Sequence, residues 1–295
     1  MSPFKSGFVA IVGAPNVGKS TLLNQLLGQK IAITSAKPQT TRHRILGVAH
    51  LPGAQLIFLD TPGIHQAKGP LNVRIVEVAL KALREVDLVV FMTDASVPDN
   101  RADQIILKAL KKKRQPVILA MNKVDLVKKK TLLPLMDQWR GSYPFKAIVP
   151  ISALERIQMD ELVTEMVAVL PEGPRYYSED SVTEMPERFI AAEMIREKVF
   201  RLTGEEIPYS VAVTVESFKE RPGTDLIDIQ ATIHVERDSQ KPIIIGGGGK
   251  KLKRIGEQAR EEIEHMVGCK VFLTLWVRVQ KNWTRDAGAI RRFGY

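Results

Sequence analysis

Residues Gly13-Ala-Pro-Asn-Val-Gly-Lys-Ser20 spell G-x-x-x-x-G-K-[ST] directly after the apolar run Phe8–Val12 and at the opening of an amphipathic stretch, Lys19–Leu27. Strand, glycine turn and helix in that order is the context the motif requires, and no other feature constrains the chain as much. The glycines let backbone N–H groups close around phosphate oxygens at the positive end of the helix. Lys19 adds charge toward the β- and γ-oxygens of a nucleotide, and the Ser20 hydroxyl suits a Mg²⁺ ion.

The first half of the chain agrees with such a loop. Phe8–Val12, Leu56–Leu59, Leu88–Met92, Val117–Met121 and Ile148–Ile151 read as buried strands. Between them, Lys19–Leu27, Leu71–Val86, Asp99–Lys113, Thr131–Arg140 and Asp160–Leu170 carry apolar residues near the 3.6 period of a helix. This β-α alternation predicts an α/β domain with a mainly parallel sheet and helices on both faces. Ile45–His50, followed by Pro52-Gly53, predicts a hairpin with Leu56–Leu59 and hence an antiparallel edge strand.

Pro171-Glu-Gly-Pro174 and the polar Ser178–Met185 break that rhythm, so a boundary is expected near residue 175, giving domains 1–175 and 176–295. The second domain reads as a compact α+β unit of order α-β-β-α-β. It comprises a helix over Glu187–Leu202, strands near Ser210–Phe218 and Leu226–Val235, a glycine run, a helix over Lys250–Met266 and a strand over Lys270–Val279.

A length of 295 residues allows about two domains of ordinary size, and 44% hydrophobic with 26% charged residues is a soluble globular composition. No run approaches a membrane span and no signal-peptide core follows Met1, so a cytoplasmic protein is expected. Cys269 stands alone, which excludes an internal disulfide and a zinc site and predicts a buried structural thiol. The net charge of +10 favours polyanionic partners, and its distribution is uneven. Residues 1–175 hold 24 basic against 14 acidic side chains, residues 176–239 hold 7 against 14, and residues 240–295 hold 12 against 5.

Three further segments stand at strand ends, on the edge where an open α/β sheet binds its ligand: Asp60-Thr-Pro-Gly63, Asn122-Lys-Val-Asp125 and Ser152-Ala-Leu154. Asp60 would hold Mg²⁺ through a water, and the Gly63 amide would approach the γ-phosphate. The Asp125 carboxylate accepts from both N1–H and the 2-amino group of guanine, whereas adenine offers neither donor there, so guanine specificity is expected.

These four segments resemble the G1, G3, G4 and G5 boxes of GTPases, in the branch linked to ribosomes and RNA modification, and Lys37-Pro-Gln-Thr-Thr-Arg-His-Arg44 is similar to that branch's switch I. In the second half, Glu187-Arg-Phe-Ile-Ala-Ala-Glu-Met-Ile-Arg-Glu-Lys198, Pro208-Tyr-Ser210, Lys241-Pro-Ile-Ile-Ile-Gly246 and Leu275-Trp-Val-Arg-Val279 resemble the Era family within the TrmE-Era-EngA-like GTPases. The resemblance spans nearly the whole chain. It implies a P-loop GTPase domain followed by a type II KH domain, and GTP hydrolysis to GDP and phosphate.

The nucleotide would lie against Gly13, Ala14, Pro15, Asn16, Val17, Gly18, Lys19, Ser20 and Thr21, then Asp60, Thr61, Pro62 and Gly63, then Asn122, Lys123 and Asp125, and finally Ser152, Ala153 and Leu154. Mg²⁺ would be held at Ser20, Asp60 and Thr41, with Thr40 as the alternative to Thr41. Lys19, Thr41, Gly63 and Asn16 would serve catalysis, Asn16 by helping to hold a K⁺ ion as in similar potassium-activated GTPases. Ile64 stands where Ras-type enzymes carry a water-orienting glutamine, so a low intrinsic rate is expected. Arg42 and His43 are alternatives for that task, although basic residues on a switch are more often solvated.

The resemblance further implies that a monomer binds single-stranded ribosomal RNA, at the 3′ end of small-subunit 16S rRNA, and assists assembly and maturation of the small ribosomal subunit. Peripheral association with the inner membrane is implied as well, though no amphipathic lipid-binding helix or lipidation signal is evident. RNA would lie on Ile245, Gly246, Gly247, Gly248 and Gly249, with Ile243–Ile245 as an apolar floor. Gly246–Gly249 lacks the basic residue that the KH loop usually carries, and Lys250, Lys251, Lys253 and Arg254 supply the charge.

Two other readings stay open at this point, a metabolic P-loop kinase or ATPase and a membrane-associated signalling GTPase. Several features read blandly: Lys111-Lys-Lys-Arg114 and Lys128-Lys-Lys130 as solvated helix ends, Trp276 as core, and His65 as a polar switch residue.

Overall fold

The computed structural model describes residues 3–35, 37, 40–64, 70–83, 86–97, 101–112, 114–204 and 207–295. Two compact units emerge: one of Met1–Ala32, Thr41–Ala67 and Arg74–Glu184, the other of Ile33–Thr40, Lys68–Val73 and Met185–Tyr295. The main division thus falls between Glu184 and Met185, past the boundary expected near 175. Residues 176–182 stay with the first unit through hydrogen bonds: Tyr176 and Tyr177 amides donate to Gln55 Oε1, and the Val48 amide donates to the Val182 carbonyl.

Among the described residues of the first unit, six strands form one sheet: β1 (Lys5–Gly13), β2 (Ile45–Leu51), β3 (Ala54–Asp60), β4 (Leu88–Asp94), β5 (Val117–Asn122) and β6 (Ala147–Pro150), in the order β2-β3-β1-β4-β5-β6. Only β2 runs antiparallel, as the hairpin predicts. The interior strands β3, β4 and β5 are buried almost without a break, the pattern of a parallel sheet covered on both faces. The covering helices are α1 (Lys19–Leu27), α2 (Pro70–Ala82), α3 (Arg101–Leu110), α4 (Lys129–Ser142) and α5 (Met159–Val169). Asp99, Lys113, Arg84 and Glu85, expected within helices, lie outside the described residues.

The register puts the site together. Ile11 pairs with Asp60, Gly13 with Met92, and Asp94 with Asn122, so the carboxyl ends of β1, β3, β4 and β5 line one edge. The order reverses at β1, the point at which open α/β sheets bind their ligands.

The second unit contains α6 (Glu187–Leu202), β7 (Ala212–Glu220), β8 (Leu226–Val235), α7 (Gln240–Ile245), α8 (Lys250–Val267), β9 (Lys270–Val279) and α9 (Ala287–Arg292). β8 pairs antiparallel with β7 and parallel with β9, and the parallel pair requires the crossover that α7 and α8 provide. Alternate residues Ile227, Ile229, Ala231, Ile233 and Val235 of β8 are buried, and α8 buries Ile255, Ala259 and Ile263 at helical spacing.

Four expectations need correction. Gln240–Ile245 is a helix, so the order is α-β-β-α-α-β before the terminal α9. Trp276 is 45% exposed and shares a face of β9 with exposed Phe272, because only the opposite face of that strand meets the helices. Arg42 is buried, not solvated. Cys269 is half-buried at the turn before β9.

Candidate functional site

α1 begins without a side-chain cap: its N-cap residue is Gly18, with φ 103°. A Cβ there would stand 2.3 Å from the Asn122 side-chain nitrogen, so both backbone angle and packing demand glycine. The first turn of α1 therefore carries no side-chain cap, the arrangement that suits an anion. Lys19 lies at the same end and is nearly fully buried, its ammonium donating to the carbonyls of Gly13 at 3.2 Å and Ala14 at 2.8 Å. Burial pushes its pKa down to about 8 despite the charges of Asp60 and Asp103.

Three oxygens converge beside it. The Ser20 hydroxyl donates to Asp60 Oδ2 at 2.7 Å and lies 2.8 Å from the Thr41 hydroxyl. Asp60 is fully buried, and its Oδ1 has no hydrogen-bond partner. Burial raises its pKa to about 6, against the opposing pull of Lys19, Ser20 and the Thr61 amide. A hard-oxygen set with one orphaned carboxylate oxygen fits Mg²⁺. Thr40 turns the other way, its hydroxyl donating to the Lys37 carbonyl.

The remaining expected residues take distinct places. Thr61 anchors β3 to β1 by donating to the Ile11 carbonyl at 2.8 Å, Pro62 is buried, and Gly63 lies against the Pro15 backbone. Asn16 is exposed with a left-handed backbone, φ 64°, on the loop whose Ala14 and Val17 are buried. Thr21 is half-buried on α1. Ile64 is fully buried in the core with Ala10, Val12 and Phe91. His65 of the same segment and Pro38 and Gln39 of the switch lie outside the described residues.

Asn122 donates to the Val17 carbonyl and accepts from the Ala153 amide at 2.9 Å. Lys123, left-handed at φ 64°, pairs with Asp94 at 2.5 Å. Asp125 projects from the following turn as an exposed carboxylate. Ser152 and Ala153 are buried, with Leu154 exposed beside them.

Sequence reasoning missed Asp103. It is 3% exposed on α3, its Oδ1 has no hydrogen-bond partner, and burial followed by the charge of Asp94 raises its pKa to about 7. The available signal was its spacing, three and four residues before buried Ile106 and Leu107 on the same helical face.

In the second unit, the glycine loop joins α7 to α8. Gly246 has φ 72°, and a Cβ there would stand 2.7 Å from Lys251 Cβ, so the chain passes close to α8 only as glycine. Gly248 and Gly249 are also left-handed, and Cβ atoms at Gly247, Gly248 and Gly249 would meet open space. Lys250, Lys253 and Arg254 are exposed and Lys251 half-buried. The expected isoleucine floor divides, with Ile243 exposed, Ile245 half-buried and Ile244 fully buried, since a helical turn sends successive side chains in different directions.

Comparison with known proteins agrees with this geometry. Residues 8–123 match the family model of a 50S ribosome-binding GTPase, and residues 206–284 match that of a KH domain. The chain is 55% identical over 294 residues to the GTPase Era of Geobacter metallireducens, covering 100% of this chain and 99% of that one. The chain belongs to the Era family of GTPases.

Identity to the GTPase Era of Geotalea daltonii is 54%, over 99% of this chain and 98% of that one. A crystal structure of an Aquifex aeolicus Era variant bound to GDP and AlF₄⁻ superposes with a TM-score of 0.95 at 46% identity, covering 99% of both chains. A crystal structure of Era with MgGDPNP and nucleotides 1506–1542 of 16S ribosomal RNA gives 0.96 at 45% identity, again over 99% of both. The fold is thus that of the Era family, a P-loop GTPase domain and a KH domain on one chain, and the enzyme is a GTPase.

Proposed function

We propose that this chain is a GTP-operated switch whose second unit binds single-stranded RNA at the 3′ end of 16S rRNA and thereby assists small-subunit assembly. One observation carries the GTPase half: the uncapped, lysine-bearing start of α1 stands beside Ser20, Asp60 and Thr41, with Asp125 free at a neighbouring strand end. Ser20, Asp60 and Thr41 would hold Mg²⁺, which when bound neutralises charge on the β- and γ-phosphates. Lys19 and the amides of residues 13–21 bind and orient the phosphates, and the Gly63 amide approaches the γ-phosphate. Asp125 selects guanine. Because Ile64 is buried, orientation of the attacking water falls to groups other than that side chain.

The RNA half is supported by the complex of a 45% identical Era with 16S nucleotides and by the open Gly247–Gly249 turn ahead of a basic helix start. Such a turn lets the backbone approach several nucleotides, and Lys250, Lys251, Lys253 and Arg254 add a salt-sensitive attraction. The protein works as a monomer in the cytoplasm, where its ribosomal partner resides, and any inner-membrane association is peripheral. Among the described residues no helix is long and apolar enough to cross a membrane.

Two measurements test the reading. GTP should be turned over with Mg²⁺ far faster than ATP, and equal turnover would overturn guanine selection. Replacing Gly247 and Gly248 by Asp should abolish binding to a single-stranded 16S tail and leave GTP binding intact. Retained RNA affinity would move the RNA surface elsewhere, the exposed lysines near 111 and 128 being next. Co-sedimentation with vesicles in the absence of RNA would instead favour a membrane role.

A further inference from the structure

Every second side chain along β9 reads Lys270, Phe272, Thr274, Trp276 and Arg278, two rings separated by a hydroxyl and bracketed by cations. Strand alternation sends these five to one face and Val271, Leu273, Leu275 and Val277 to the other. The second set is the covered one: Val271 and Val277 are buried, and the Leu275 side chain lies against Gly256 of α8. The first set is open, with Phe272 58% and Trp276 45% exposed. Trp283 shows what a structural tryptophan does in this unit. It is fully buried, its Nε1 donates to the Ser210 carbonyl at 2.9 Å, and its ring packs on Phe293 and Tyr295.

The neighbouring strand sets the chemistry between the rings. In register, Asp228 of β8 stands beside Phe272, Gln230 beside Thr274, and Thr232 beside Trp276. Arg221 takes the Asp228 carboxylate in two bonds, of 3.1 and 2.8 Å, so that charge is already answered and does not repel an anion. Gln230 is exposed, and its amide and the Thr274 hydroxyl offer hydrogen bonds midway along the face. At a strand rise of about 3.3 Å per residue the two rings stand about 13 Å apart, with a cation about 7 Å beyond each.

We propose that this face of β9 is a stacking platform for unpaired RNA bases, Phe272 and Trp276 each carrying a base, Gln230 and Thr274 meeting base edges, and Lys270 and Arg278 the flanking phosphates. The proposal rests on the reading of the second unit as RNA-binding and extends its surface beyond the glycine loop. A nucleic acid suits the face better than a protein chain does. The rings are spaced by polar groups and bracketed by cations instead of merging into one apolar patch, and residues 240–295 are basic as a block. The helices that flank Gly246–Gly249, α7 and α8, both pack on β9, and β9 ends the sheet, so RNA crossing the glycine loop gains this face by passing one strand edge.

Binding of the full-length protein to two single-stranded RNAs from the 16S tail tests this, one of about four nucleotides, the length a KH glycine loop clamps, and one of about ten. Phe272→Ala and Trp276→Ala should each weaken the longer RNA about tenfold and leave the shorter within about twofold of wild type. Trp276→Phe should keep wild-type affinity and Trp276→Leu should not, because a ring and not apolar area is required. Both side chains are exposed, so the urea midpoints of these variants should match wild type. Undiminished affinity of the alanine variants for the longer RNA would overturn the platform, as would an equal loss on both lengths. Undiminished RNA affinity with weakened binding to small ribosomal subunits would overturn it in favour of a protein contact. Wild-type protein that binds neither RNA would overturn the RNA reading of the second unit itself, and the inference with it.

Discussion

The side-chain amide of Asn122 donates to the main-chain carbonyl of Val17 at 2.7 Å, joining two residues 105 positions apart. Its oxygen is taken by the Ala153 amide, so this buried side chain fastens the P-loop, the end of β5 and the loop after β6 to one another. In the proposed function base recognition rests on Asp125, the exposed carboxylate of the same motif. Asp125→Asn exchanges an acceptor for a donor, which should weaken GTP by roughly 2–4 kcal/mol and improve xanthosine nucleotides. Competition binding with GTP and XTP checks this, and an unchanged preference for GTP would remove Asp125 from the base site.

Asn16 is exposed on the P-loop with a left-handed backbone, and the proposed function places it near the phosphates. K⁺ should accelerate hydrolysis over Na⁺ at matched ionic strength, and Asn16→Ala should remove most of the difference. Equal rates in the two salts would count against a monovalent-cation role.

Ile64 is fully buried, and its amide donates to the Gly13 carbonyl at 3.1 Å. Ile64→Ala therefore empties core volume and should cost about 2–4 kcal/mol of stability, seen as a lower urea midpoint. If stability is kept and only turnover falls, the side chain has a direct part in the chemistry.

Asp60 and Asp103, raised by burial to about 6 and about 7 from 3.8, hold protons in the folded state after the unfolded chain has released them. The ligand-free protein should thus lose stability as pH rises through that interval. Lys19, lowered to about 8 from 10.5, acts in the opposite direction, stability rising with pH between those values. Asp103→Asn should gain about 1–3 kcal/mol at pH 8 and little at pH 4. Urea unfolding at both values decides, and an equal gain at both would show that ionisation is not the cause.

The P-loop, the strand–helix alternation and the KH loop were legible in the residues because each is a local demand. Phosphate needs glycines and a lysine at fixed spacing, and a covered strand needs an unbroken apolar run. Gln240–Ile245 escaped because its three isoleucines are too short a run to reveal a period, and packing against α8 and β9 made it a helix. Trp276 was misjudged for a related reason: alternation reveals that a strand has two faces, and only the placement of helices decides which face is covered. The sequence by itself determined which side chains the strand ends would carry. Tertiary structure decided that Arg42 and Ile64 are buried, that Asp103 lies with Lys19 and Asp94, and that Arg196 reaches Thr40. Those relationships join residues far apart in the chain, and nothing in the local pattern around either partner encodes the distance between them.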